Sequence, residues 1–336
     1  MAGLFLCYNF IMESIFKTIA AQYGLRVTFQ SEVAGGFLSV NYVVADGTTR
    51  YFLKRYRFDT QKRIEEIHSV KRFFSDGGIP VIMPIPDKTG NTFFKYNDYF
   101  YALFPFITDR QLELKDLSSV SVVSMGAMLG KIHRLGTDVK IGMEEKFKLL
   151  SRENILDKIN RIEVAIGQKT ETDSFDKKAL ESIRLKKKLI AATESYELEV
   201  LMASDHLIHG DYLLHNVFFG IDGEVSHVFD FEKTEYSPRT YELFRSMFYS
   251  FLSDDSIDGV YFATEYLEAY RSVYPITKEE LQKGLKLFYL KSIRGVWVES
   301  EHYLKKNTRV DELLDSDVAR LKYLSKNFGV LIDLLV

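Results

Sequence analysis

The sequence predicts an α+β fold of two lobes, a small antiparallel sheet carrying one helix and then a larger, mainly helical lobe. Three observations predict it. The chain has 336 residues, which is long for a single core. β-Branched and aromatic side chains crowd strand-like segments in the first hundred residues. Beyond about Thr108 the apolar spacing turns helical. The expected division is residues 1–12 as an N-terminal extension, 13–107 as the first lobe and 108–336 as the second.

Composition narrows the function classes. Hydrophobic residues make up 46% and aromatics 14%, which supplies packed cores and argues against disorder. A net charge of −3 does not suit a dedicated nucleic-acid binder. Cys7 is the single cysteine, so intramolecular disulfides and cysteine-rich metal sites are excluded and a reducing cytoplasm is expected. The opening MAGLFLCYNFIM is apolar, but no Lys or Arg precedes it and no small-residue cleavage site follows. It is also too short to span a membrane, so no membrane partner is expected. Met12 reads as the usual start, with an amphipathic helix beginning directly after it.

The elements follow in order. VTFQSEV, FLSVNYVV and RYFLKRY read as strands, with Asp46-Gly47 as the turn between the last two. Residues 60–75 place Ile64, Ile67, Val70 and Phe74 on one helix face, and Gly77-Gly78 with Pro80 stops that helix. NTFFKYNDYFYALFPFI reads as a hairpin turning at Asn97-Asp98. Sheet gives way to helix at PFITD, the expected hinge. VVSMGAMLGKIHRLG reads as a core helix, and Ile155, Ile159, Ile162 and Ile166 mark the next. Residues 176–203 read as a heavily charged helix, with most of the charge on a solvated face. Further helices run from about 240 to the end.

Chemistry-bearing residues concentrate in HGDYLLHNVFF, residues 209–219, and in VFDFE downstream. A two-residue turn at Asp222-Gly223 would pair Ile221 with Glu224 and set Asn216 opposite Phe229, beside Asp230. Neighbours of that kind lie roughly 5–8 Å apart. An amide oxygen beside a carboxylate suits Mg²⁺, with Asp211 on the loop that enters the hairpin. A surface hairpin with a polar mouth is the plainer reading of these residues alone. Lys54, on a strand face with Phe52 and Tyr56, is costly there unless it meets an anion. Gly35-Gly36 allows a backbone turn close to a phosphate. Glu66, or alternatively Glu65, would orient the lysine from the following helix.

The order of these parts resembles the aminoglycoside phosphotransferase and choline kinase-like family, small-molecule kinases with a protein-kinase-like fold. The resemblance runs from roughly Val27 to Arg245. It rests on His209-Gly210-Asp211 with Asn216, on Asp230-Phe231, on Gly35-Gly36 with Asn41, and on Ile132-His133. The chain departs from the family in having Tyr212-Leu213-Leu214-His215 within the loop and Glu242-Leu243 where Asp before Leu is common.

The resemblance implies an ATP-dependent phosphotransferase acting on the hydroxyl of an aminoglycoside, amino alcohol or sugar-like acceptor, with GTP left open as donor. The first lobe would bind nucleotide and the second would hold the catalytic loop and acceptor. Lys54 would hold the α/β-phosphates, Asn216 and Asp230 would bind Mg²⁺, and Asp211 would orient the acceptor hydroxyl. Glu232 would assist through water or a second ion, and His209 would brace the loop. His215 reads as a loop residue, since no second histidine sits at ligand spacing. Among the C-terminal helices Trp297, Glu299, Glu301 and Tyr303 would suit an amine acceptor, although a core position is the plainer reading of Trp297. Protein phosphorylation is disfavoured, because Ser237-Pro238-Arg239 follows the D-F-E almost at once and no A-P-E occurs. The competing reading is a catalytically silent, kinase-fold binding or structural protein of the spore-coat kind.

Overall fold

The computed structural model describes residues 2–33, 40–58, 60–143, 146–198, 200, 202–252 and 257–335, with side chains throughout these except at 2–11, 198, 257, 258, 334 and 335. The fold is α+β. The chain forms two compact units, one of residues 1–110 with 226–232 and one of residues 111–225 with 233–336.

The first unit opens with α1 (Ala2–Tyr23), one continuous helix rather than one beginning at Met12. Met12, Ile15 and Ile19 repeat at helical spacing and bury against Tyr42, Val44, Leu53 and Leu103 of the sheet. That sheet contains β1 (Thr28–Val33), β2 (Val40–Asp46) and β3 (Thr49–Arg55). After α2 (Gln61–Asp76) come β4 (Phe94–Tyr96) and β5 (Tyr99–Pro105). Strand order is β1-β2-β3-β5-β4, and every pairing is antiparallel. Both expected turns form. Asp46 pairs with Thr49 while Gly47 takes φ +58°, and Tyr96 pairs with Tyr99 while Asn97 takes φ +50°.

Register sets Lys54 between Asn41 of β2 and Ala102 of β5, one residue on from the core-facing Leu53. Helix α2 buries Ile64, Ile67, Val70 and Phe74, as its period predicts. Residues 226–232 complete this unit from far down the chain, which a division at residue 107 does not anticipate. The Val228 N–H donates to the Pro80 carbonyl at 2.8 Å, and the Ile82 N–H returns a bond to the Val228 carbonyl at 3.1 Å. Phe229 meets Phe52 and Phe104 edge-on, and Phe231 packs on Phe74.

The second unit begins with α3 (Ser119–Leu135), capped by Ser118, whose hydroxyl accepts from the Ser121 N–H. Then follow α4 (Arg152–Gly167) and α5 (Ser174–Ala192), and the short strands β6 (His206–Ile208), β7 (Val217–Phe219) and β9 (Glu235–Ser237), while β8 (Val225–Val228) belongs from Ser226 on to the first unit. Helices α6 (Arg239–Phe251), α7 (Ile257–Val273), α8 (Lys278–Ile293), α9 (Trp297–Lys305) and α10 (Leu314–Leu335) complete it. No helix among the described residues is long and apolar enough to cross a membrane.

The four isoleucines of α4 are buried as their spacing requires. Helix α5 differs from expectation: it ends at Ala192, and a short 3₁₀ turn, Glu194–Leu198, follows. Most of its charge is exposed as expected, with Asp176 and Lys186 the buried exceptions.

Helices α3 and α7 meet at glycines. A Cβ on Gly126 would fall 2.2 Å from the Tyr266 carbonyl oxygen, and that oxygen belongs to a packed helix backbone. Gly126→Ala is therefore expected to lower unfolding free energy by about 3 kcal/mol, read from urea midpoints. Gly167→Ala, whose Cβ would meet nothing within 4 Å, should leave stability level or raise it by less than about 1 kcal/mol.

Candidate active site

In the first unit the polar centre is Lys54. Its ammonium lies 2.9 Å from Asp230 Oδ1 and 2.7 Å from Glu232 Oε1, with its side chain only 4% exposed. Burial pulls its pKa down, but the two carboxylates outweigh that and hold it above the ordinary lysine value. Glu232 is held in turn by Arg57, 3.2 Å from Oε2, and its carbonyl accepts from Arg63 at 3.0 Å. Asp230 sits at φ +61°, a left-handed conformation uncommon outside glycine and maintained only where surroundings impose it.

The helix carboxylates expected on Lys54 are elsewhere. Glu66 pairs with Arg63 at 3.4 Å, and Glu65 accepts from Gln61 at 2.7 Å. The residues of α2 that line the small cavity around Lys54 are Ile67 and Lys71, so the acidic pair lies on another part of the helix surface. Glu232 takes the position that a helix glutamate was expected to fill. Lys71 is a second buried lysine, donating to the Ile82 carbonyl at 2.7 Å and lying 4.5 Å from the Phe104 ring centre. Burial first, and then the charge of Lys54, push its pKa down to about 7. Gly35 and Gly36 lie outside the described residues. Nearby on β2, Asn41 Oδ1 is buried with no hydrogen-bond partner among the described residues.

In the second unit the loop 209–216 is built around Glu242 of α6, which is fully buried. Its Oε2 accepts from the His209 N–H and from His133 Nε2, both at 3.0 Å, and its Oε1 accepts from the Tyr212 N–H at 3.3 Å. His133 Nδ1 meets the Tyr270 hydroxyl at 3.0 Å. His209 braces the loop by accepting from the Asp211 N–H through Nδ1 at 3.2 Å. Gly210 has φ +83°, and a Cβ there would sit 1.9 Å from the Lys233 carbonyl oxygen, so no other residue fits.

Asp211 emerges from this scaffold with its carboxylate shared by two cations. Oδ1 accepts from Arg245, and Oδ2 accepts from Lys233 at 2.9 Å. Burial would raise its pKa, but Arg245 and Lys233 outweigh it and hold the group far below the usual carboxylate range. The Asn216 amide donates to the Asp211 carbonyl at 2.9 Å, which leaves Oδ1 as the oxygen a cation would take. Sequence reasoning missed both cations. Arg245 lies three residues beyond Glu242 on the same helix face, and Lys233 immediately follows Glu232, so a signal was present in spacing alone.

Two linked expectations, the turn at Asp222-Gly223 and the pairing derived from it, need correction here. The loop after β7 is not a two-residue turn at Asp222-Gly223. The Gly220 N–H donates to the Glu224 carbonyl and the Gly223 N–H to the Gly220 carbonyl, with Gly223 at φ +83°. This is a three-residue loop with a glycine bulge, which moves the register by one residue. The derived pairing of Asn216 with Phe229 therefore does not follow. His215 is exposed, and among the described residues no group of three or more His, Cys, Asp or Glu is arranged to hold a metal.

Beside Asp211, Lys233 and Arg245 also line a cavity of about 370 Å³ together with Tyr249, Trp297 and Arg320. Trp297 is neither core nor covered, being 42% exposed on this wall. Glu299 faces the other way: it is wholly buried and accepts from Ser182 at 2.7 Å and Lys186 at 2.8 Å. Two residues along a helix turn about 200°, so both side chains of α9 cannot share one cavity. Glu301 binds Lys305 and Asn307, and Tyr303 donates to Asp176, so neither carboxylate offers itself to an acceptor.

A sequence model of the phosphotransferase enzyme family matches residues 30–278. No curated protein matches the chain in sequence. Among solved structures, spectinomycin phosphotransferase, determined with ADP and spectinomycin, superposes with a TM-score of 0.66 at 17% identity over 96% of this chain and 97% of that one. A microcompartment-associated aminopropanol kinase superposes with a TM-score of 0.64 at 16% identity over 96% and 98%. Choline kinase from Cryptosporidium parvum Iowa II superposes with a TM-score of 0.60 at 11% identity over 96% and 97%. At these identities the likeness is one of fold.

Two measurements probe the buried charges. The unfolded chain keeps the Lys71 proton to about pH 10.4, whereas the folded protein releases it near 7. Folding stability from this residue therefore rises with pH across that window. Lys71→Met should stabilise the protein most below pH 7, by on the order of 4 kcal/mol, and flatten the pH profile of urea midpoints between 7 and 10. Separately, Glu232→Leu should lose about 3–5 kcal/mol by leaving Lys54 and Arg57 short of a carboxylate. The double variant with Lys54→Met should recover more than half of that loss, measured as a double-mutant cycle.

Proposed function

The chain belongs to the phosphotransferase enzyme family, and from that premise we propose that it is an ATP-dependent kinase of a small molecule bearing a hydroxyl group. The observation that carries this reading is Asp211, kept ionised on a loop whose backbone is tied to Glu242 and whose carbonyl holds the Asn216 amide.

In this reading Lys54 binds the α/β-phosphates, exchanging part of its contact with Asp230 for phosphate oxygens while Glu232 keeps it oriented. Gly35 and Gly36 would bring backbone N–H groups to the phosphates. The unmatched Asn41 Oδ1 near Lys54 fits a site completed by a ligand. Asn216 and Asp230 would hold Mg²⁺, for which their oxygen donors are suited. Such an ion would supply charge neutralisation at the phosphates.

The acceptor oxygen attacks the γ-phosphorus as the bond from that phosphorus to the β-bridging oxygen breaks. The products are a phosphate monoester and ADP, and the acceptor proton passes to Asp211. A carboxylate held so far below its usual pKa is a weak base in the ground state. It takes the proton late, once bonding to phosphorus has made the acceptor oxygen acidic. Arg245 and Lys233 fix the carboxylate in direction, while His209 and Glu242 fix the loop beneath it. A cytoplasmic setting, reducing and supplied with ATP, fits a chain with one cysteine.

Asp211→Asn should lower kcat/KM by roughly 10²–10⁴-fold in an ADP-release assay while the Kd for ATP changes little. The reading fails if the wild-type protein binds ATP yet transfers nothing to any of a panel of aminoglycosides, amino alcohols, sugars and hydroxy acids. That result would favour a silent binding protein.

A further inference from the structure

The cavity beside Asp211 carries a charge pattern that nothing above assigns. Its lining includes four cations, Lys233, Arg245, Lys291 and Arg320, against one carboxylate, Asp317. Asp317 lies 3.5 Å from Lys186 and also feels Arg320, and burial raises its pKa, so a single carboxylate shared with a further lysine stands against the four cations of the lining. Asp211 engages Lys233 and Arg245, while Lys291 feels the charge of Glu235 and Arg320 that of Asp317. Lys291 donates to the Lys148 carbonyl, and burial lowers its pKa. Arg320 lies 5.3 Å from the Tyr249 ring centre and makes no hydrogen bond or ion pair with another described residue.

The rest of the wall is apolar and aromatic, with Tyr241, Phe248, Tyr249, Phe288 and Trp297. A volume of about 370 Å³ suits a small ligand. The acidic side chains that would have welcomed an amine, Glu299 and Glu301, are occupied by Lys186 and by Lys305 with Asn307. A polycationic acceptor entering this cavity would meet like charge and give up its own hydration without a partner.

From this geometry we infer that the acceptor is an anionic alcohol, a hydroxyl compound that also carries a carboxylate or another oxyanion on a flat, apolar body. The oxyanion is received by Arg320 and Lys291, the flat body lies against Trp297 and Tyr249, and the hydroxyl reaches Asp211. The inference rests on the kinase reading for the fate of the hydroxyl, but not for the charge preference, which belongs to the cavity itself.

Trp297 is the only tryptophan of the chain and lines the cavity, so its fluorescence, excited at the red edge of tryptophan absorption, reports binding without nucleotide. Three matched probes differ only in charge: 4-(2-hydroxyethyl)benzoate, 2-phenylethanol and 4-(2-hydroxyethyl)benzylamine. The benzoate is expected to bind at least about tenfold more tightly than either of the others, an advantage of roughly 1.4 kcal/mol. Arg320→Ala should remove most of that advantage and leave 2-phenylethanol binding unchanged. Raising the salt concentration should weaken the benzoate selectively in the wild-type protein, a readout that does not depend on the variant folding.

Equal binding of the three probes, tighter binding of the amine, or no response to the benzoate would overturn the inference, as would indifference of benzoate binding to both Arg320→Ala and salt. If the benzoate binds as expected and no acceptor is phosphorylated with ATP present, the kinase reading falls and the charge preference of the cavity stands.

Discussion

The buried carboxylate of Glu242 is the constraint on which the loop carrying Asp211 depends. An ionised group with no solvent must collect hydrogen-bond donors, and this one takes them from three places in the chain. His133 of α3 supplies an imidazole N–H, while the His209 and Tyr212 amides supply backbone N–H groups. Burial would raise the Glu242 pKa, but the His133 bond and the neighbouring donors hold it below the usual glutamate value. Burial keeps His133 neutral, and its other nitrogen is met by the Tyr270 hydroxyl. Helix, loop and helix are therefore joined through one side chain, and the segment that ends in Asp211 inherits its conformation from that junction.

The two units solve the same problem in opposite senses. The first buries a lysine and brings two carboxylates to it, Asp230 and Glu232. The second buries an aspartate and brings two cations to it, Arg245 and Lys233. Each over-supplies the partner charge, so each group stays ionised in a place where isolation would neutralise it. In the proposed kinase reading, a lysine that exchanges one carboxylate for phosphate oxygens, and a carboxylate that keeps its direction as a proton arrives, would both draw on that excess. The cavity on the second unit extends the pattern, since its surplus cations continue from the pair that holds Asp211.

Local physics made much of this readable in advance. The isoleucines of α4, the buried face of α2 and the turns at Gly47 and Asn97 obey period and turn chemistry, which involve only near neighbours in the chain. What stayed hidden depends on partners far away. Lys186 reads as one more solvated lysine until Glu299, 113 positions on, meets it in the interior. A helix period shows which face is buried, but not which acidic residue meets a lysine, so Glu66 and Glu65 drew attention that belonged to Glu232. The bulge at Gly223 was missed because Asp-Gly suits two loop lengths, and the flanking strands decide between them.

The return of residues 226–232 to the first unit has a consequence for the order in which the protein can be made. Lys54 is synthesised early, yet Asp230, the first of its two carboxylates to be made, emerges 176 residues later. Until then the sheet can form, but its central lysine has no carboxylate to justify its burial, and the strip of backbone from Pro80 to Ile82 lacks the Val228 pairing. The N-terminal unit is thus first in sequence yet incomplete until residue 232 has been made. A ribosome that has released only the first 110 residues holds a lobe with an uncompensated charge at its centre, and the hairpin that closes the account is carried on a segment otherwise surrounded by the second unit's sequence.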